Sequence, residues 1–440
     1  MNAPPLRVRA AEVRTVVAYP GNMAHAQHVA LSMLEVGCLE AFVTSFAWRQ
    51  GGTIDSLLSR LPSNSAQLFI GEIRRRSIDQ IPAHVVHSYP FWEVVRSAAM
   101  RLGFGDILVD TAWDIMAHKF DAVVAQRYVP NVEAVQAFEY TALAAFERAN
   151  ELGVARVLHL PSLDSRRFEE IQRREKAQWP DLLGEHDAYF NTKFKSRYAR
   201  RCREIALADV VIANSSLTAQ SHIDAGANPA KVFVVPLGAP QPVSSAYTRP
   251  RGTSGPLKVI YAGTFSLRKG AHHLLAGWKL LSAGKSAQLE VFGRQMLPKR
   301  LQADEIEGIA FRGSVPQRQL FEAFEAADVL VFPTLSDGFG MVVLEAMAHG
   351  LPVITTDQAG AADLVTPGNG LVVPAADPSA LALALQWCLD NRCRLIEMRT
   401  HALDAARRRQ WSDFRRDLIL ALNTGLQRAG YSQTREQAMS

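Results

Sequence analysis

Short apolar runs rich in β-branched residues alternate with longer segments of helical periodicity through the first half of the chain. A run such as VVIA predicts a buried strand, whereas HVALSMLEVG, closed by Gly37, repeats its apolar positions at helical spacing. Strands that alternate with helices predict a parallel sheet covered by helices on both faces. The strand-like runs of this half lie at 15–20, 40–46, 84–89, 121–126, 156–161, 209–215 and 232–238.

The same alternation restarts after a segment without apolar periodicity. Residues 238–256 are rich in proline, serine and glycine, which is typical of a linker between domains. Strand-like runs return with KVIYAG, and a last amphipathic segment begins at Trp411. The pattern predicts an α/β protein with a first domain over 12–240, a linker over 241–256, a second domain over 257–410 and a final helix over 411–427.

Length and composition agree with two domains. The chain has 440 residues, of which 48% are hydrophobic and 21% charged, enough for two cores of about 200 residues each. No apolar run approaches the roughly 20 residues that cross a bilayer, and the first residues lack the apolar stretch of a signal peptide, so we expect a cytoplasmic protein. The four cysteines are scattered and are expected to be free thiols.

The charge balance is moderately basic, with a formal net charge of +5. Two basic clusters, Arg74 to Arg76 and Lys193 to Glu204, would suit a peripheral contact with an anionic membrane or an acidic acceptor. A solvated helix face is the more common explanation of such clusters. We expect no nucleic-acid partner, because no basic stripe is interleaved with aromatic residues.

One βαβ unit in the second half carries the strongest candidate chemistry. The strand VLVF leads into a loop with an acid and the triplet GFG, and MVVLEAMAH continues at helical spacing. A glycine turn at a helix start exposes N–H groups at the positive end of the helix dipole, which predicts a phosphate site, although packing alone also explains such turns. The candidate residues are Asp337, Gly338, Phe339, Gly340, Met341, Val342 and Glu345.

A second glycine turn follows the strand KVIYAG and contains two adjacent cations. Gly263 and Thr264 begin the turn, and Arg268 and Lys269 precede an amphipathic helix. Paired cations at such a turn suit a diphosphate group, above all one on which negative charge builds as it leaves. A solvated basic turn is the alternative.

The string DGFGMVVLEAMAHGLPVI resembles the signature of retaining glycosyltransferase family 4, in which an acid, GFG, four residues and EAMA precede x-G-x-PVI. The resemblance implies that Glu345 holds the donor ribose and that Asp337, where the family usually has glutamate, contacts the sugar. The turn GTFSLRKG resembles the family's G-R-L-x-x-x-K-G element. Lys269 matches its lysine, whereas the family arginine falls at Thr264, so we expect Arg268 to supply that charge.

Further donor contacts are implied by the same resemblance. LEVFGR ends in Arg294, a candidate nucleotide contact, and the segment GSVP implicates Val315 beside the nucleotide base. The family fold is GT-B, two Rossmann-like domains that face each other across a cleft, with a terminal helix that crosses back to the first domain.

In the first domain, the loop after the first strand is a functional candidate by position, because ligands bind beyond the carboxyl ends of parallel strands. The family commonly has a glycine pair and a histidine here. Aligning His28 with that histidine places Met23 and Ala24 at the glycines, after Gly21. For His25 and His28, a solvated pair is the alternative.

His159 ends the strand-like run RVLHLP. The resemblance implies a histidine there that contacts the transferred sugar, and a hydrogen-bonded core histidine is the alternative. The charged helical stretch from Leu163 to Asp209 is interpreted either as an insertion that bears on acceptor choice or as an exposed helical pair.

Together these features predict transfer of a sugar from a nucleotide-diphosphate sugar donor to a glycan, lipid-linked or small-molecule acceptor, with retention of configuration. The expected catalytic residues are Asp337, His159 and Lys269. We expect no cofactor and no metal, because the sequence contains no Asp-x-Asp element. Two alternatives remain: a nucleotide-sugar-binding or scaffolding subunit without turnover, favoured by the departures at Asp337, Thr264 and Met23, and an epimerase or phosphorylase of the same fold.

Overall fold

A computed structural model describes residues 13–21, 23–48, 78, 80–101, 105–182, 187–244, 255–298 and 306–431. Within them the chain forms two parallel sheets, one in each half, with helices on both faces. The predicted α/β class with two Rossmann-like domains is therefore confirmed.

The first sheet has the order β3-β2-β1-β4-β5-β6-β7, and all its pairs are parallel. Its strands are β1 Thr15–Ala18, β2 Leu39–Thr44, β3 Val86–Ser88, β4 Ala134–Phe138, β5 Ala155–Leu160, β6 Val210–Ala213 and β7 Val232–Val234. The helices of this half are α1 Ala24–Glu35, α2 Phe91–Arg101, α3 Asp106–Arg127, α4 Leu143–Leu152, α5 Ser165–Gln178, α6 Asp187–Leu207 and α7 Ser216–Asp224.

The second sheet has the order β10-β9-β8-β11-β12-β13 and is also parallel. Its strands are β8 Leu257–Ala262, β9 Ala287–Phe292, β10 Ile309–Gly313, β11 Val329–Phe332, β12 Val353–Thr356 and β13 Gly370–Val373. The helices are α8 Ala271–Leu281, α9 Gln317–Ala326, α10 Met341–Ala348, α11 Pro378–Asp390, α12 Arg392–Arg408 and α13 Trp411–Arg428.

One strand prediction is wrong. Residues 121–126 belong to the long helix α3, in which Asp121 is buried and accepts the backbone N–H groups of Ala144 and Ala145 at the start of α4. The strand at this place in the sheet is β4, which the pattern did not mark because Gln136 interrupts its apolar run. Gln136 is tolerated there because it is hydrogen-bonded inside the sheet to His159.

The last helix, α13, lies against α1 of the first domain, as expected for a crossing helix. Phe414, Leu418 and Leu422 are buried on one face of α13. Trp411 stacks on the ring of His28 with 4.1 Å between ring centroids. Arg415 forms an ion pair of 2.8 Å with Glu35. A reciprocal capping box between Gln410 and Asp413 fixes where the helix begins.

The charged stretch between β5 and β6 forms the helices α5 and α6, and it bridges the two domains. After α5, Leu182 is buried in the hydrophobic cluster of the second domain, and Trp179 packs against that cluster. The segment is therefore more than an exposed helical pair, because its apolar side chains complete the core of the other domain.

The basic residues of α6 are largely paired within the first domain. Lys193 and Arg197 form ion pairs with Asp114, and Arg201 lies 3.4 Å from Glu139. These pairs reduce the positive charge that α6 presents to a membrane. The other basic cluster, Arg74 to Arg76, lies outside the described residues. Among the helices that the structure describes, none combines the length and apolar character of a bilayer span.

Candidate functional site

The two candidate motifs of the second domain meet at the switch point of its sheet. β8 pairs with β11 although β9 and β10 lie between them in sequence, so the loops after β8 and β11 emerge side by side. A crevice beyond the carboxyl ends of strands at such a point is where parallel sheets bind ligands. The turn with Arg268 and Lys269 and the loop with Asp337 are thus brought together.

Asp337 joins these two loops. Its carboxylate forms an ion pair with Lys269 and lies 3.9 Å from the guanidinium of Arg268. Arg268 also donates to the carbonyl of Ser336 at 3.0 Å. Burial raises the pKa of Asp337, but the two cations outweigh burial and lower it, so the side chain is ionised at neutral pH. Asp337 therefore holds the two cations beside the glycine turn, and its expected contact with the sugar stays a prediction.

Gly338 does not serve as an open approach for an anion. A Cβ atom at this position would overlap the carbonyl oxygen of Pro161 and lie 2.9 Å from Cα of Ser162, both in the first domain. The carbonyl of Gly338 accepts the hydroxyls of Ser215 at 2.6 Å and Thr218 at 3.1 Å. The missing side chain of Gly338 thus admits the other domain, and its expected contact with the donor stays a prediction.

The start of α10 keeps the features of an anion site. Gly340 has a φ of +89° and precedes the first helical residue. Among the described residues, no group accepts the backbone N–H of Gly340, Met341 or Val342. Unpaired N–H groups at the positive end of a helix dipole attract negative charge. Phe339 is buried beneath this turn and anchors it in the core.

Glu345 lies on α10 with its carboxylate half-buried and without a partner among the described residues. Burial raises its pKa, and no nearby cation or donor opposes the shift. A desolvated carboxylate without a protein donor is costly, so this position would suit a ligand that supplies hydrogen-bond donors. A ribose diol offers two hydroxyl donors of the required kind.

The remaining donor-site candidates lie in the loops after β8, β9 and β10. Gly263, with a φ of +136°, and Thr264 are exposed. The carbonyl of Arg294 accepts the N–H of Phe265 at 2.9 Å, which places the two loops side by side. Val315 is half-buried and packs against the main hydrophobic cluster. No bound nucleotide tests these four positions, and their roles stay predictions.

His159 lies in the core of the first domain. Its Nε2 is 2.9 Å from Oε1 of Gln136, and its ring stacks on Phe138 and lies edge-on to His25. Burial and the neighbouring His25 hold the pKa of His159 well below its usual range, so the ring is neutral. This environment agrees with the alternative that His159 is a hydrogen-bonded core histidine. Its expected contact with the transferred sugar stays a prediction.

The loop after β1 is tied to α13 more than to the second domain. Gly21 fits against the ring of Tyr19, and Met23 is the residue before α1. Ala24 is exposed, whereas His28 stacks on Trp411. Burial and the nearby Arg415 lower the pKa of His28 to about 4. His25 is fully buried, so the two histidines are not a solvated pair.

Several residues that connect the domains at the site were not identified from the sequence. Ser215 caps α7 as a helix-start pattern predicts, yet its contact with Gly338 crosses 123 positions of sequence. Arg167 donates to Gln358 at 2.8 Å, and Ser216 is hydrogen-bonded to Asp363. Polar residues at helix starts are common, and only the tertiary fold shows which of them face the other domain.

Comparison with known proteins shows that most of the second domain is similar to a described family. Residues 256–391 match the family model described as glycosyl transferases group 1. A D-inositol 3-phosphate glycosyltransferase of Corynebacterium urealyticum is 36% identical over 105 residues, which is 24% of this chain and 25% of the relative. A GDP-mannose-dependent monoacylated alpha-(1-6)-phosphatidylinositol monomannoside mannosyltransferase of Corynebacterium glutamicum is 32% identical over 142 residues, 30% of this chain and 37% of the relative. The matches span about a quarter to two fifths of these relatives.

Solved structures match over nearly the whole chain. Anabaena Alr3699/HepE in complex with UDP has a TM-score of 0.57 at 15% identity, covering 93% of this chain and 100% of that chain. Sucrose-phosphate synthase from Thermosynechococcus elongatus has a TM-score of 0.55 at 17% identity, covering 97% of this chain and 99% of that chain. At this identity the likeness concerns the fold, and it confirms the GT-B architecture.

Proposed function

We propose that the chain is a retaining glycosyltransferase that uses a nucleotide-diphosphate sugar, because residues 256–391 match the family model of glycosyl transferases group 1 and the whole chain has a GT-B fold. The sugar passes to a glycan, lipid-linked or small-molecule acceptor that enters from the first domain. The printed names of the relatives support an activated donor, since one is GDP-mannose-dependent, and one matching structure contains UDP.

The observation that carries this proposal is the unpartnered carboxylate of Glu345. It lies on the same short helix whose first N–H groups are unpaired, so one helix offers acceptors at one point and donors at another. A nucleoside diphosphate has the complementary groups, a ribose diol and a pyrophosphate, a few ångströms apart. A helix start that served packing alone would need neither group.

The cations beside this helix fit the charge that develops during transfer. As the bond between the sugar carbon and the donor phosphate oxygen breaks, the nucleotide diphosphate leaves with the electron pair. The acceptor oxygen forms the new bond and gives up its proton to an oxygen of the departing diphosphate. Lys269 and Arg268 are held next to the leaving group by Asp337, so their positive charge is fixed before the reaction begins. We propose that these charges, and no metal ion, stabilise the transition state.

The test is a thermal-shift panel of nucleoside diphosphates and nucleotide sugars, followed by analysis of products formed with the ligand that stabilises most. A ligand bound to the native state raises the melting temperature by mass action. We expect one nucleotide series to stabilise the protein and its sugar to be transferred or slowly hydrolysed. Binding without any product would favour the scaffolding subunit, and no binding by any nucleotide would reject the proposal.

Glu345→Ala provides the site-specific arm of this test. We expect the affinity for the best nucleoside diphosphate to fall by about 10- to 100-fold, as for the loss of hydrogen bonds to a charged group. Glu322→Ala is the matched control, because Glu322 is an exposed glutamate on α9. Wild-type affinity of Glu345→Ala in calorimetry would remove the ribose role.

A further inference from the structure

A cluster of three buried titratable residues lies where the two domains meet. Glu175 is on α5 of the first domain, and His272 and His273 are in the first turn of α8 of the second domain. Oε2 of Glu175 is 2.9 Å from Nε2 of His272 and 2.7 Å from Nε2 of His273. All three side chains are at most 2% exposed. The proposed transfer reaction does not use this cluster.

The charge of the cluster is not balanced by the protein. Among the described residues, no lysine or arginine pairs with Glu175. Oε2 of Glu175 faces the Nε2 atoms of both rings, each of which can either donate one proton or bind a metal ion. A buried anion without a cation is expensive.

Hydrogen bonding within the protein also leaves the cluster incomplete. The Nδ1 atoms of His272 and His273 are buried and have no partner among the described residues. The indole of Trp179 lies edge-on to both rings, at 5.7 and 6.0 Å between centroids, and excludes solvent from this side.

We propose that Glu175, His272 and His273 bind one divalent transition-metal ion, with Zn²⁺ as the natural occupant, and that this ion ties α5 to α8. The three ligand atoms already lie within 4.8 Å of one another. Zinc bonds of about 2.0–2.2 Å in a tetrahedron separate ligand atoms by roughly 3.3 Å, so small side-chain movements accommodate the ion. Two imidazoles and a carboxylate are a donor set that zinc accepts, and the fourth position is left for water.

The ion would act as a link between domains. It neutralises Glu175 and fixes the first turn of α8, which begins two residues after Lys269. The site lies outside the set of residues proposed to bind the donor, so its role is separate from sugar transfer. Metal binding needs no nucleotide, and its test therefore does not depend on the proposed function.

The experiment measures zinc uptake by the full chain without a histidine tag. The protein is stripped with a chelator, zinc sulfate is titrated by calorimetry, and the metal content is measured after dialysis. We expect one zinc per chain and a higher melting temperature with zinc than after stripping. If the folded wild-type protein takes up no zinc, the proposal is overturned. The three residues then connect the domains only through the hydrogen bonds of Glu175 to the two histidines.

Substitution of the proposed ligands tests whether they form the zinc site. We expect Glu175→Gln and His273→Gln to weaken zinc binding by about 100-fold or more, because loss of even an outer partner of a zinc ligand costs about 10- to 100-fold. His84→Gln is the control for surface binding, since His84 is an exposed histidine of the first domain, and it should keep wild-type uptake. Equal uptake by wild type and Glu175→Gln overturns the assignment. If a variant fails to fold, the wild-type stoichiometry still decides.

Discussion

Lys269 has two electrostatic partners at different times in the proposed reaction. It is paired with Asp337 and lies over the ring of Phe332, and burial lowers its pKa. The pairing keeps the lysine charged although it is mostly buried. In the proposed reaction the same ammonium would face the diphosphate oxygens on which negative charge grows. The ion pair would then hold the cation in place for the leaving group.

Replacing Lys269 tests this role. We expect Lys269→Ala to lower kcat by roughly two orders of magnitude, as for the loss of one fixed donor at a developing anion. Steady-state kinetics with the donor identified by the nucleotide panel measure the effect. Lys279→Ala, which removes an exposed lysine from the end of α8, should leave kcat unchanged. An unchanged kcat in Lys269→Ala would assign the phosphate contact to another residue.

For single residues, the sequence identifies the functional side chains better than it identifies the residues that those side chains contact. Asp337, Lys269 and Glu345 follow from a motif, because a strand, a glycine turn and a helix start are defined within a few residues. The pairing of Asp337 with Lys269 joins two loops, and Gly338 meets Pro161 from the other domain. Such contacts depend on how sheets and domains dock, which local residue patterns do not specify.

At the scale of secondary-structure elements, the turn before α8 requires glycine at position 270 for two reasons. Gly270 has a φ of +67°, and a Cβ atom there would overlap the carbonyl oxygen of Pro333 at the end of β11. The close approach brings the basic turn against the loop that contains Asp337. Conformation and packing therefore both require glycine at this position.

Gly270→Ala separates these two requirements when it is compared with Gly284→Ala. Gly284 has a φ of +51° but open space around it, so its substitution should cost about 1–2 kcal/mol for backbone strain. At Gly270 the overlap should add about 1–3 kcal/mol or more. Urea denaturation of both variants measures the difference. Equal losses of stability would show that the contact with Pro333 relaxes freely.

The crossing helix α13 offers a second matched pair. Leu418 is fully buried against the first domain, whereas Leu420, two positions later, is 45% exposed. We expect Leu418→Ala to lower the free energy of unfolding by about 2–5 kcal/mol, since it leaves a cavity. Leu420→Ala should change it by about 0.5 kcal/mol or less. Similar losses in both variants would contradict the burial of one face of α13.

The success and failure of the predicted elements have a common cause. Unbroken apolar runs such as VVIA, at 210–213, form buried parallel strands because both faces of the sheet are covered. The run at 121–126 has a similar apolar centre, AVVA, but it continues a helical pattern that begins at Asp106, and tertiary packing decides between the two. β4 was missed because Gln136 is polar, and its need for a buried partner becomes visible only with His159 in place.

At the scale of the whole molecule, the two domains touch next to the signature loop. Gly338 is packed against Pro161, and Ser215 and Thr218 bond to its carbonyl. Arg167 and Gln358 add a second polar contact across the interface. Closure of two domains over a nucleotide sugar excludes water from the reacting bond. These contacts therefore describe a closed arrangement around the proposed site.

Gly338→Ala tests whether this contact matters for turnover. The backbone of Gly338 is outside the left-handed region that requires glycine, so alanine strains no local conformation. Its Cβ would meet only Pro161 and Ser162 of the first domain among the nearest atoms. We expect the variant to keep its nucleotide affinity, to lose kcat, and to show a larger radius of gyration in small-angle X-ray scattering.

Gly105→Ala is the matched control, because Gly105 also lacks a positive φ and has open space around it. It should keep both turnover and the scattering profile of the wild type. If Gly338→Ala retains full kcat and an unchanged radius of gyration, the residues around Pro161 adjust to the methyl group without separating the two domains. If its nucleotide affinity falls in step with kcat, the methyl group disturbs the second domain alone. Only a selective loss of kcat with expansion assigns the effect to closure, since binding and closure are then separated.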